Sequence, residues 1–245
     1  WATYFGGDDT DVGHSIATDG NDDIWICGTS DSFVFPTTAG AYQISNGGQD
    51  DAFIAKFNGS GALLYSTFLG DIEADESYDL TIDGNNDVIV TGFTESSGFP
   101  TSAGAFQTTF TGSAAAYLTK FNSSGTFQWS TFLTGNGGDN GTGVSTDAAN
   151  NVICSGGTSS TDFPVTAGAF QMTNAGGSTD IYVAKFDAAG NQIWTTYYGG
   201  SSTEQCGAIT ITPSGDAAII GNTVSTDFPI TVGSHQVIYG GGVQD

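Results

Sequence analysis

The chain has 245 residues, 38% of them hydrophobic, with 37 glycines but only five prolines. That balance excludes a proline-rich disordered chain and suits one large domain of short strands and tight turns. Its 26 acidic residues stand against three lysines and no arginine, a formal charge of −23, so the basic footprint that nucleic acid and anionic membrane surfaces require is missing. No apolar run of about 18 residues is present for membrane insertion.

In chain order, Trp1 opens on strand-like sequence with no basic segment ahead of it, so a leader peptide is either already removed or was never included. An acidic loop holding Asp8, Asp9 and Asp11 leads to a first predicted strand near Ser15–Thr18. Asp19-Gly20-Asn21 then turns the chain, since Asp-Gly favours the positive φ angles of hairpins. The second strand, Ile24–Cys27, ends at Gly28. A long loop through Phe35-Pro36 follows, because proline cannot donate to a central ladder. The third strand spans Ala52–Phe57, the turn Asn58-Gly59-Ser60 comes next, and the fourth strand is Leu63–Leu69.

The series then begins again. Phe-Pro recurs at Phe35, Phe99, Phe163 and Phe228, at spacings of 64, 64 and 65 residues, so four of the five prolines stand in one column. Trp1, Tyr65, Trp129 and Trp194 open matching segments that include Thr3, Thr67, Thr131 and Thr196; Gln43, Gln107, Gln171 and Gln236 follow Phe-Pro at a fixed distance. The glycines 28, 92, 156 and 221 form another column, and all three lysines, Lys56, Lys120 and Lys185, precede a phenylalanine in a further one. The third strand repeats as Ala116–Phe121 and Ile181–Phe186, and the first recurs around Leu80, Val144 and Ile209.

Four antiparallel strands per repeat with no helical periodicity is the pattern of an all-β fold, a β-propeller of four-stranded blades about 64 residues long. The repeats are 1–64, 65–128, 129–193 and a truncated 194–245, together a partial β-propeller over 1–245. The first seven residues read as a fourth strand without its own blade, and the last copy stops where a third strand is due, so the expectation is a fragment whose open edges invite other subunits or the remaining blades.

The registers, seen in Tyr65-Ser66-Thr67-Phe68-Leu69-Gly70 and Asp51-Ala52-Phe53-Ile54-Ala55-Lys56-Phe57, resemble the bacterial β-propeller repeat called SBBP over essentially the whole chain. The resemblance implies a ring of about six to eight blades, roughly 380 to 510 residues. It also implies a secreted, extracellular setting at the bacterial cell surface and a structural or adhesive, non-catalytic role.

One acid recurs before each first strand: Asp11, Asp75, Asp139 and Glu204. Two readings stand for this column. The acids accept backbone N–H groups and lock a turn, or they hold Ca²⁺, helped in the first two loops by Asp8, Asp9, Asp71, Glu73 and Glu76. No complete calcium-loop motif supports the second. The lysines are expected to pair with carboxylates of a neighbouring strand or blade while their stems cover apolar surface.

Catalysis lacks its parts. His14 and His235 occupy unmatched positions, and no nucleophile elbow, phosphate loop or Cys/His metal spacing occurs. Cys27, Cys154 and Cys206 fall in three different columns, as small buried thiols would, with one chance disulfide as the alternative. Asn58, Asn122 and Asn140 match glycosylation acceptors, two of them in hairpin turns. Glycan binding is the rival function, because Trp1, Tyr65, Trp129 and Trp194 would stack on sugars if they pointed outward; as inter-blade core they would not. An enzyme of polysaccharide degradation is the third expectation, with no residues to name.

Overall fold

Alternating runs punctuated by Asp/Asn/Gly turns make strands that stay local, and each repeat closes its own sheet. The computed structural model describes residues 1–241 and is all-β, with fourteen strands among them. The first sheet holds β1 (Asp11–Thr18), β2 (Ile24–Ser30), β3 (Asp51–Phe57) and β4 (Leu63–Leu69), paired antiparallel in that order. The second repeats it with β5 (Asp75–Ile82), β6 (Val88–Thr94), β7 (Ala115–Phe121) and β8 (Phe127–Leu133). The third has β9 (Asp139–Thr146), β10 (Val152–Thr158), β11 (Asp180–Phe186) and β12 (Gln192–Tyr198). A two-stranded sheet of β13 (Glu204–Ile211) and β14 (Ala217–Thr223) follows; the end of the fourth repeat, 242–245, lies outside the described residues.

The first strands β1, β5, β9 and β13 touch one another in succession, and β5, β9 and β13 each also pack on the second and third strands of the sheet before them. The sheets therefore stand side by side about a common axis, first strand innermost and fourth outermost. This is a β-propeller-like arrangement of blades.

Burial is greatest between blades. Trp25, Tyr117, Tyr182, Phe121 and Phe186 are fully buried, in clusters that span neighbouring sheets. Each such side chain contributes about 2 kcal/mol relative to an exposed one. The first three Phe-Pro phenylalanines plug their own blades: Phe35 lies 5.0 Å from Phe53, Phe99 lies 4.4 Å from Tyr117 and Phe163 lies 4.6 Å from Tyr182, centroid to centroid. The glutamine column fastens the long loop to the outer strand. Gly70 N–H donates to Gln43 Oε1 at 3.1 Å, Thr134 N–H to Gln107 Oε1 at 3.0 Å and Gly199 N–H to Gln171 Oε1 at 3.1 Å.

Three local expectations are corrected. The second strand does not stop at Gly28 but runs to Ser30, and the first begins at Asp11. The glycine column marks a bulge instead of a strand end: the β1–β2 register shifts between Gly13 and Ser15, and a Cβ on Gly28 would strike the Val12 carbonyl oxygen. The positive φ angle of the first hairpin falls on Asp22 (61°), not on Gly20, and recurs at Asn86 (64°) and Asn150 (62°). Short polar side chains tolerate this left-handed geometry better than most. Residues 1–7 form no ladder with any described strand, although Phe5 still packs on Phe35, Phe53 and Phe57.

Candidate functional site

The acid column stands at the inner end of every blade, on the first residue of its first strand. Each acid accepts a backbone N–H from four residues earlier: Gly7 to Asp11 (2.6 Å), Asp71 to Asp75 (2.7 Å), Gly135 to Asp139 (2.8 Å) and Gly200 to Glu204 (3.1 Å). Each also accepts a serine hydroxyl, from Ser32, Ser96, Ser160 and Ser225. Those serines in turn accept the N–H of Asp9, Glu73, Gly137 and Ser202 at 2.9 to 3.0 Å. One carboxylate and one hydroxyl thus satisfy two amides of the connection that enters each blade.

The serine column is a functional partner that the sequence reading did not assign. Its signal was present in the regular spacing of Ser32, Ser96, Ser160 and Ser225, three residues before each Phe-Pro phenylalanine.

Burial dominates the chemistry of Asp75 and Asp139. It pushes Asp75 up to about 6, against the donors Thr94, Asp71 N–H and Ser96 that favour its charged form. Asp139 is raised for the same reason, against hydrogen bonds from Thr158, Gly135 N–H and Ser160 that favour its charged form. The four acids sit in four separate blades, and among the described residues no group of three or more His, Cys, Asp or Glu side chains gathers as a metal centre would.

The lysine column lies at the opposite end of the third strand. Lys56 Nζ is 2.9 Å from Asp19 and 3.1 Å from Asp23, Lys120 is 2.7 Å from Asp83 and 3.1 Å from Asp87, and Lys185 is 2.8 Å from Asp147. These are the turn aspartates between the first two strands of the same blade. Asp19 also accepts the N–H groups of Asn21 and Asp23 and the Trp25 indole N–H. Burial pulls the Lys56 ammonium down, but Asp19 and Asp23 outweigh it and hold it above its ordinary value. In the fourth repeat Thr212 stands in the aspartate position, and its hydroxyl accepts the Asp216 N–H.

The aromatic column clasps the next blade. The Trp1 indole donates to the Gly59 carbonyl at 3.0 Å and the Trp129 indole to Ala188 at 3.1 Å, each reaching the hairpin between the third and fourth strands of the blade that follows it. Tyr65 is buried over Gly125, whose φ of 82° and closeness to the ring both exclude a side chain. Trp129 and Trp194 are half-buried, and Trp1 is 64% exposed.

A cavity of about 520 Å³ opens where β5, β9 and β13 begin, lined in part by Tyr78, Phe93, Asn140, Gln205 and Cys206. Beside it, the Tyr78 ring lies 5.4 Å from His14, whose Nδ1 is 2.7 Å from the Ser77 carbonyl. His235 lies in a different repeat, exposed. The cysteines are free; Cys27 and Cys154 are buried, and burial pushes the Cys27 thiol up to about 12, which disfavours its thiolate. Asn58 and Asn122 spend their side-chain oxygens on their own turns, and Asn140 accepts the Gly157 N–H. No helix among the described residues is long and apolar enough to cross a membrane.

The class of molecule is therefore a tandem array of four-stranded antiparallel blades whose repeated polar side chains bond within and between blades. Residues 1–36 match the family model of the β-propeller repeat SBBP, so an SBBP-type repeat is present in this chain. No curated protein matches it.

Proposed function

We propose that this chain is a non-catalytic structural or adhesive module of a secreted bacterial cell-surface protein or extracellular assembly, part of a larger propeller. One observation carries the reading: the repeated acid, serine, glutamine, lysine and aromatic columns are engaged in bonds or packing that hold blades and loops together. The β-propeller repeat and the charge of −23, which keeps an extracellular chain soluble, agree with it. Partners are other subunits or further blades; nucleic acid is not among them. Light scattering of the purified chain, with and without Ca²⁺, tests this. A discrete oligomer or polymer supports the assembly role, and calcium dependence would assign the joint to the acidic loops. A stable monomer with no affinity for any surface would sink it.

Glycan binding is the second reading, favoured by the axial cavity in which Tyr78 and Phe93 stand beside the amides of Asn140 and Gln205. Titration with neutral oligosaccharides, repeated on Tyr78→Ala, decides it: saturable heat lost in the variant supports a lectin, and no heat removes it.

A further inference from the structure

Two blade junctions bury a pair of carboxyl groups against each other. Asp51 opens β3 and meets Asp75 of the next blade; Asp180 opens β11 and meets Glu204. All four are 0% exposed. Asp51 Oδ2 accepts Gly47 N–H at 2.8 Å and Gln43 Nε2 at 2.9 Å, and Asp180 Oδ2 accepts Ala175 N–H at 2.6 Å and Gln171 Nε2 at 3.4 Å. The other oxygen of each, Oδ1, is buried with no hydrogen-bond partner.

Those two orphaned oxygens point the same way. A Cβ built on Gly70 would lie 2.5 Å from Asp51 Oδ1 and 2.8 Å from Asp75 Oδ2; one built on Gly199 would lie 2.6 Å from Asp180 Oδ1 and 2.8 Å from Glu204 Oε2. Each glycine therefore leaves room for two facing carboxyl oxygens. The middle junction shows the alternative. Ala115 replaces the first acid, and Thr134 replaces the glycine, its hydroxyl bonded to the Thr111 carbonyl beside Asp139. Acid goes with glycine twice, and alanine goes with threonine once.

Two carboxylates cannot both stay ionised in so dry a site without a counter-charge. The facing charged groups are all acids: Asp71 and Asp75 toward Asp51, Asp51 and Asp71 toward Asp75, and Glu204 toward Asp180. The lysines bond instead at the far end of the third strands. Backbone N–H groups of Gly47 and Asp71 donate to the first pair, which favours keeping one of its two carboxyl groups ionised beside a neutral partner. We propose that Asp51 and Asp180 are held as neutral carboxylic acids, each donating its proton across the glycine to the acid of the next blade, so that two blade junctions are joined by a proton and loosen as pH rises.

The titration agrees in direction. Burial, with the charges of Asp75 and Asp71, takes Asp51 up to about 7; burial and Glu204 take Asp180 up to about 6. A carboxyl raised in the folded state contributes stability that is complete below its ordinary value of about 4 and is lost as pH climbs through the folded value. Each pair titrates as a unit, one proton shared between two groups.

The test is denaturant unfolding of the full chain between about pH 5 and about pH 9, wild type against Asp51→Asn/Asp180→Asn. An asparagine amide donates as the neutral acid does. The wild-type midpoint should fall more steeply across that window than the variant's, and the variant should be the more stable at the alkaline end. A variant that declines in parallel with wild type overturns the proposal. Infrared spectra of the folded wild type supply a second reading. A protonated-carboxyl band near pH 6 that diminishes in Asp180→Asn supports the joint, and its absence from wild type overturns it. Added CaCl₂ that raises the midpoint of wild type but not of the double variant would make the occupant a cation, which also overturns it.

Discussion

Lys120 has both carboxylate partners, Asp83 and Asp87, and a side chain only 6% exposed, whereas Lys185 has one aspartate partner and is 20% exposed. Removing a cation from a buried pair strands a charge, so Lys120→Ala should cost about 3 kcal/mol. Lys185→Ala should cost about 1 kcal/mol, because water can reach Asp147. Urea midpoints of the two variants check the ranking, and equal losses would show that burial is not what sets the cost. The lysine column was visible in the sequence because its residues are rare. Its partners were not: strand register carries Asp19 and Asp83 to the lysine, and nothing local in a D-G-N turn announces that.

At the scale of the element, the hairpins between first and second strands of the first two blades are each tied to the corresponding hairpin of the next blade. Asn150 adopts φ 62° and its Oδ1 accepts the Gly84 N–H at 2.9 Å. Asn150→Ala loses that bond and strains the turn, a cost of about 2 kcal/mol, while Asn150→Gly relieves the strain and should cost about 1 kcal/mol. Thermal melts of both separate the two contributions; the account requires alanine to be the worse.

The acid–glycine relation gives a second expectation. Gly70→Thr alone crowds Asp51 and should cost about 2 kcal/mol, and adding Asp51→Ala should restore most of it, since the pair then copies Ala115 and Thr134. Additive losses would mean the two positions do not meet. Strands and turns were legible here because period-two alternation and turn residues are local signals. The bulge at the glycine column was not: a glycine that ends a strand and one that lets a backbone approach look alike until the register is known.

Across the whole molecule, Asp79 joins three blades at the axis. It accepts the Ser15 hydroxyl at 2.7 Å from the first blade, its own neighbour Leu80 N–H, and Val144 N–H at 2.9 Å from the third. It belongs to no column, since Ser15, Gly143 and Ala208 stand in the equivalent places, so repetition gave no hint of it. Asp79→Ala leaves a buried amide unsatisfied and should cost about 3 kcal/mol, clearly more than Ser15→Ala, as unfolding midpoints would show. Strand order and the recurrence of the acids were readable from spacing. What the acids bond to depends on how one connection folds back against its own blade, which spacing does not encode.

The central claim is that the repeated polar residues are joints between and within blades. A crystal structure grown with Ca²⁺ in the solution tests it most directly. The account predicts Asp75, Asp139 and Glu204 still bonded to the Asp71, Gly135 and Gly200 amides and to Ser96, Ser160 and Ser225, with no cation among them. A calcium ion ligated by these carboxylates, with the serines turned away, would contradict it.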